Sequence, residues 1–391
     1  MELYEDTINS DIENLFQLDF QLKKKRNSQK IKTTLQIAES EDAEIITSLF
    51  KEVYRGTYPY KKMEDEEEVR RMIQDNNHSW LIFKADSTKN VGCFGADLDF
   101  KNKKGVLYGF LIKKSYWKIV DTLKAFAASL IYFWTYYKEK ILVWSGEVRT
   151  NDTTAQFGTS LCGLKPIAFF PNKDIFFDHI ESDFLITSYD ERVFAHYRCA
   201  ETPKIIRQIL NSYTYSNQRY SLGIPHIENP SININNTKLK EIEKDIEVFK
   251  KSEKFGYEKI ILSINHSNSN FKFLYNPYSK HFEKTKYKVD KLEDLIVFLK
   301  KVKSLMEEMG VNYFQCFVTA YDPIHQKIFY NEGFLPRGYV PCWKYNKNLN
   351  IFEDQIVFNY FRGSIVQNLK LIPETEKLLQ DLNFYNEPLF P

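Results

Sequence analysis

Few residues in this chain are spaced for chemistry, and those that are belong mostly to acid–base work. Glu147 lies in an apolar stretch around Ile141–Val148 that reads as a strand, and a carboxylate projecting from a strand can take a proton directly or through water. Asp97 and Asp99 sit on or just after a second strand-like run, Gly92–Leu98. The stretch Tyr54-Arg55-Gly56-Thr57-Tyr58-Pro59-Tyr60 combines aromatics with Gly and Pro. Its tyrosines, Tyr58 and Tyr60 among them, suit a rigid binding loop and equally an ordinary packed one. His325 lies beside Gln326 in a short helical segment and reads as readily as a surface histidine. Cys93, Cys162, Cys199, Cys316 and Cys342 are too far apart for a CxxC or a zinc pattern, so no metal is expected.

The elements that must position these groups belong to an ordinary globular chain. Its 391 residues favour two domains, and 43% hydrophobic with 16% aromatic residues suffices for two cores. Lys+Arg 54 against Asp+Glu 52 leaves +2, so no global field draws the chain to nucleic acid or to an anionic membrane. The acidic start Met1–Asp6 lacks the apolar segment of a signal peptide, and the apolar stretch Ala125–Tyr137 is too short to span a bilayer. A cytoplasmic location is the expectation.

The chain spells one unit twice. At an offset of 170 residues Val148 aligns with Val318, Asp152 with Asp322, Gln156 with Gln326, Gly163 with Gly333, Pro166 with Pro336 and Pro171 with Pro341, without a gap. Each copy predicts helix, strand, helix, strand, strand, with Asp152 or Asp322 at a helix start and Gly163 or Gly333 just past its end. The first copy adds a front half: a strand at Thr34–Ile37, a helix from Ser40 and Asp42 to Tyr54, and a hairpin of Trp80–Phe83 with Gly92–Leu98. Three regions follow: an appended helix over 1–30, a first domain over 31–195 and a second over 196–391.

The pattern resembles the GNAT acyltransferase superfamily. Glu39-Ser40-Glu41-Asp42-Ala43 is similar to the usual opening of such domains, and Tyr330-Asn331-Glu332-Gly333-Phe334 to their late Tyr-x-x-Gly-Phe element. Leu161–Pro166 is a weaker version of that element. The resemblance implies an α/β fold of two tandem GNAT-like domains, each a mixed sheet splayed between its fourth and fifth strands. There an acyl thioester, acetyl-CoA or another, inserts like a missing strand, with its pyrophosphate on backbone N–H groups at the next helix start. It implies Tyr330 as the acid, with Glu147 as the candidate base, and Tyr58, Tyr60, Asp97 and Asp99 at the acceptor. The donor would be held by Ile112, Lys113, Lys114, Lys118, Val120, Asp121, Thr122 and Gln156.

The family's loop glycines are replaced by Val120 and Thr122 in the first copy and by Asp290 and Leu292 in the second, and Trp117 stands at the arginine position. A β-branched side chain obstructs close approach of backbone to phosphate. The first copy has Ser160 where the second has Tyr330. The leading expectation is therefore acyl transfer from a CoA or acyl-carrier-protein thioester to the amine of a small molecule. The alternative is a non-catalytic GNAT-like protein that binds a ligand or partner. Transfer from a charged tRNA is disfavoured by the balanced charge.

Overall fold

The structure, a computed structural model, describes residues 20–23, 30–85, 88–117, 120, 122–366 and 369–384. Its first sheet comprises β1 (Phe20–Lys23), β2 (Lys30–Ile37), β3 (His78–Ala85), β4 (Lys89–Asp99), β5 (Lys104–Ile112), β6 (Val143–Arg149), β7 (Lys165–Phe176) and β8 (His179–Tyr189). The spatial order is β1-β2-β3-β4-β5-β6-β8-β7. Helices α1 (Ala43–Tyr54) and α2 (Glu66–Gln74) join β2 to β3; α3 (Thr122–Tyr137) joins β5 to β6; α4 (Thr153–Leu161) joins β6 to β7.

A crossing region holds β9 (Lys204–Ile206), α5 (Leu210–Tyr220), β10 (His226–Glu228) and α6 (Asn236–Lys244). The second sheet follows: β11 (Ile246–Ser252), β12 (Glu258–Ile264), β13 (Asn270–Asn276), β14 (His281–Lys288), β15 (Tyr313–Thr319), β16 (Leu335–Asn346) and β17 (Ile351–Phe361). Its order, β11-β12-β13-β14-β15-β17-β16, repeats that of β2 to β8. Helix α7 (Leu292–Glu308) precedes β15, α8 (Pro323–Asn331) follows it, and α9 (Pro373–Asp381) ends the described chain. None of the described helices is long and apolar enough to cross a membrane.

Both sheets part at the same place. The parallel pair β5–β6 is joined only from Lys104↔Val143 to Leu107↔Gly146. The parallel pair β14–β15 is joined only at His281↔Tyr313 and Phe282↔Phe314. Beyond those pairs the strands diverge while their outer edges stay laddered to β4, β8, β13 and β17. The expected caps are present: Asp152 accepts from the Thr154 amide, Asp322 accepts from the Ile324 and His325 amides, and Gly163 and Gly333 have φ of 84° and 86°.

Two differences from the sequence reading stand out. Residues 20–23, expected in an appended helix, pair antiparallel with β2; the alternation Phe20-Gln21-Leu22-Lys23 suits an edge strand. The rest of 1–19 and 24–29 lies outside the described residues. The second unit also lacks counterparts of α1 and α2, because β11 and β12 are joined by only a short turn around Lys254–Gly256.

The units pack through β7 and β16. Ile167, Ala168, Phe170 and Leu185 share a buried cluster with Tyr313, Val340 and Val357. Gly338 permits this approach: a Cβ there would stand 2.5 Å from the Ile167 carbonyl oxygen and press on Ala168.

Candidate active site

Glu147 is the first residue of β6 beyond its last pair with β5, so the parting of the strands exposes its carboxylate at the mouth of the splay. One carboxylate oxygen is held by the Lys173 ammonium, which is almost fully buried. Lys173 reaches it because β7 bulges between Phe170 and Asp174, with Asn172 at φ 54°. Burial alone would lower the Lys173 pKa; Glu147, Asp174 and Asp183 outweigh it and keep the ammonium charged.

Three carboxylates gather round this ammonium. Glu147, Asp174 and Asp183 bring oxygen atoms within 4.8 Å of one another, a spacing that would also suit a metal ion. Asp174 accepts a 2.8 Å hydrogen bond from the Ser279 hydroxyl. Asp183 is 2% exposed, and its Oδ1 has no hydrogen-bond partner among the described residues. Burial, then the charges of Asp174 and Glu147, push the Asp183 pKa well above the usual carboxylate range. Beside this group Arg149 grips Glu181 with two hydrogen bonds, one of 2.7 Å from Nε.

The loop after α1 forms the adjoining wall. Arg55 and Gly56 take positive φ, 53° and 75°, and turn the chain back toward the sheet. Tyr58 packs edge-on to Phe50 at 4.8 Å, and Tyr54 lies 4.5 Å from Tyr58. Burial raises the Tyr58 and Tyr60 pKa values, and both rings lie in the field of Asp174 and Glu147, so their hydroxyls stay protonated donors. Asp97 belongs to the same wall: its Oδ1 lies 2.8 Å from His78 Nε2, and it sees Lys62, whose ammonium lies 5.9 Å over the Tyr108 ring. The structure thus brings Glu147, Tyr58, Tyr60 and Asp97 to one side of the first sheet. Asp99 lies apart, capping the β4–β5 turn through the Asn102 amide at 3.1 Å.

Tyr330 sits on α8 of the second unit, half-buried against that unit's core with Lys327 5.9 Å over its ring. Glu147 and Tyr330 therefore belong to different sheets.

The expected donor-holding groups are largely engaged. The Ile112 carbonyl takes the Trp117 indole N–H at 2.6 Å. The Val120 amide donates to the Tyr116 carbonyl at 2.8 Å, and its side chain is buried in the core. Lys113 pairs with Glu52 at 2.8 Å, and Lys114 lies 5.7 Å over Trp117. Thr122 opens α3; Lys118 and Asp121 lie outside the described residues. The buried Gln156 amide is spent on the carbonyls of Arg149, Asp152 and Lys370 and on the Thr375 hydroxyl. Among the described residues of this loop, the Val120 amide and the Lys113 ammonium are committed, and Val120 and Thr122 stand where the family has glycines.

The equivalent place in the second unit has different chemistry. At the 170-residue offset Glu147 and Lys173 become Phe317 and Trp343, which stack at 4.9 Å and 19°. By strand pairing the counterpart of Asp183 is Gln355, a neutral buried side chain whose amide donates to the Asp354 carbonyl at 3.1 Å. The second splay is bridged by the Tyr287 hydroxyl and His325 Nδ1, 3.2 Å apart. In the first unit the residue at the His325 position is Ala155.

Sequence reasoning misses Lys173, Asp174, Ser279, His281 and Glu283, and takes Asp183 only as the start of a strand. A signal exists for two of these groups. Lys173-Asp174 interrupts the aromatic run Phe169–Phe177, and His281 and Glu283 alternate on one strand face.

No family model and no curated protein matches the chain. Among solved structures it is similar to spermidine N-acetyltransferase from Vibrio cholerae in complex with CoA and spermine, at 14% identity and TM-score 0.36 over 40% of this chain and 95% of that one. It is similar to ribosomal-protein-S5-alanine acetyltransferase from Vibrio fischeri, at 10% identity and TM-score 0.35 over 41% and 93%. A probable acetyltransferase from Staphylococcus epidermidis matches at 13% identity and TM-score 0.34 over 40% and 98%. Overlap at this level says nothing of this chain's substrate. On their own strand order and pairing, both sheets have the GNAT-like arrangement that the sequence resemblance implies, a mixed sheet parted between its fourth and fifth strands.

Proposed function

We propose that the first unit transfers an acyl group from a pantetheine thioester to a small-molecule amine, and that the second unit does not catalyse. One observation carries this reading: the same position holds an accessible Glu147–Lys173 pair in the first unit and a Phe317–Trp343 stack in the second. The thioester supplies an activated acyl carbonyl when bound. Glu147, kept in place by Lys173, receives the proton that the amine must lose to become a nucleophile. Tyr58, Tyr60, Asp97 and the acids beneath Glu147 favour a cationic acceptor and hold it beside the splay. Ser160 stands where a tyrosine would serve as acid, and its hydroxyl is committed to Glu374 and Lys165, so Ser160 does not serve as that acid and the thiolate is protonated by solvent.

The committed Lys113 and Val120 amide and the replaced loop glycines favour delivery on a carrier protein over free CoA. The test is thiol release from free acetyl-CoA and from an acyl-loaded carrier protein, each with a panel of amines. Glu147→Gln should lower turnover about 10²- to 10⁴-fold. Turnover that survives this substitution removes Glu147 from the role of base. The committed Trp117 indole and Val120 amide favour a second reading, a ligand-binding protein without turnover. Stabilisation by an amine with no thiol release from either donor would select it.

A further inference from the structure

The first unit's acid cluster is roofed by the second unit. Ser279, in the turn before β14, and His281, at its start, reach Asp174 and the Lys173 backbone across the junction. His281 is wholly buried: Nδ1 lies 3.1 Å from the Lys173 carbonyl and 3.4 Å from Asp174 Oδ1, and Nε2 lies 3.3 Å from Glu283 Oε2. Both ring nitrogens face acceptors, so both must carry protons. The groups facing the ring are the acids Glu283 on β14 and Asp174 on β7, with the Lys173 ammonium as the nearby cation.

We propose that His281 and Glu283 are positioning residues for the first unit's reaction. The imidazolium holds the bulged Lys173–Asp174 segment from the second unit's side, and through it the ammonium that fixes Glu147. The proposal rests on the reading of Glu147 as the base. It gives the second unit a part in its neighbour's chemistry. With its own splay bridged and its counterparts of α1 and α2 absent, that unit supplies the missing wall of the first unit's site. The contacts continue along that wall. The Tyr257 hydroxyl donates to the Pro59 carbonyl at 3.1 Å, and Lys61 lies 5.3 Å from the centroid of the Tyr278 ring, both on the loop that carries Tyr58 and Tyr60.

The test has two readouts on the full chain. The first is the ¹⁵N-ammonium NMR signal of Lys173, assigned by its loss in Lys173→Met. A buried, ion-paired ammonium gives a protected signal at neutral pH. In His281→Gln, and in the milder Glu283→Gln should the first variant not fold, that signal should shift or vanish while the melting curve remains cooperative. An unchanged signal in a folded variant overturns the proposal, whether or not the protein turns over. The second readout is kinetic. Each variant should lose about tenfold or more in kcat with KM for the acyl donor unchanged, as expected when a reacting group is displaced. A displaced ammonium with full kcat leaves His281 a merely structural residue and overturns its role in the reaction. Wild-type protein without thiol release under any donor overturns the acyl-transfer reading instead, and the NMR result then stands alone on whether His281 positions Lys173.

Discussion

The residue that best separates the two units is an aspartate. Asp183 is buried among other acids with one oxygen unmatched among the described residues, whereas Gln355, its counterpart by strand pairing, is neutral and donates to the Asp354 carbonyl. An acid whose folded pKa lies above its unfolded value costs stability as pH rises from the unfolded pKa through the folded one. Asp183→Asn removes that cost with an isosteric group. It should raise the melting temperature at pH 7–8 and have no effect near pH 3, as read by thermal scans across pH. Glu283 has the opposite sign. Burial would raise its pKa, but the bond to His281 outweighs that and holds it at about 2. Its contribution is complete above its unfolded pKa and fades as pH falls toward 2, so Glu283→Gln should flatten the acid side of the stability profile. His281 is raised, since Glu283 and Asp174 outweigh burial, and its contribution fades as pH rises above the ordinary histidine value.

Among the elements, the two glutamines of the repeat explain how the units are tied. Gln326 donates to the carbonyls of Thr319 and Lys204 and accepts from the Ile206 amide, so it grips β9. Gln156 does the same for Arg149 and Lys370, and Thr375 at the start of α9 donates to it. The amides of Lys204 and Lys370 donate to Ala320 and Thr150, positions again 170 residues apart. The strap that follows the first sheet thus docks on the second unit, and the strap that follows the second sheet docks on the first. Gln156→Ala strands several buried carbonyls and should cost about 2–4 kcal/mol in denaturant unfolding; Phe157→Ala, on the exposed face of the same helix, should cost far less. This pairing also shows what a sequence can and cannot say at this scale. The alignment of Gln156 with Gln326 is legible, but it reads as a donor-binding position because no local pattern tells a buried clamp from a ligand contact. The partners at Lys370 and Lys204 lie 214 and 122 residues away along the chain.

On the scale of the whole molecule, the exchanged straps make the two units one folding problem. Helix α5 sets Tyr213 edge-on to Tyr339 at 4.7 Å and sends the Ser216 hydroxyl to the Tyr339 carbonyl. Helix α9 buries Leu378 and Leu379 in the first core, and the following Phe384 meets Phe169 at 4.8 Å. Ending the chain after residue 362 removes those side chains from the first core. It should lower the melting temperature of the entire protein rather than release a folded first unit, as calorimetry would show; two separate transitions would refute that coupling. Gly338→Ala, which sets a methyl against Ala168 and the Ile167 carbonyl, should loosen the same contact by about 1–3 kcal/mol. The sequence by itself determined the doubled unit, its strand order through the later half, the capping aspartates and glycines, the aromatic loop at Tyr58 and Tyr60, and Glu147 beside a strand gap. Those features are local, written in periodicity, turn residues and fixed offsets. Only the tertiary structure decided that Lys173 bulges under Glu147, that Phe317 and Trp343 fill the matching place in the second unit, and that His281 roofs a site belonging to the first. Each of those facts depends on side chains meeting across strands or between units, and burial and charge pairing act there on distance in space, which sequence separation does not record.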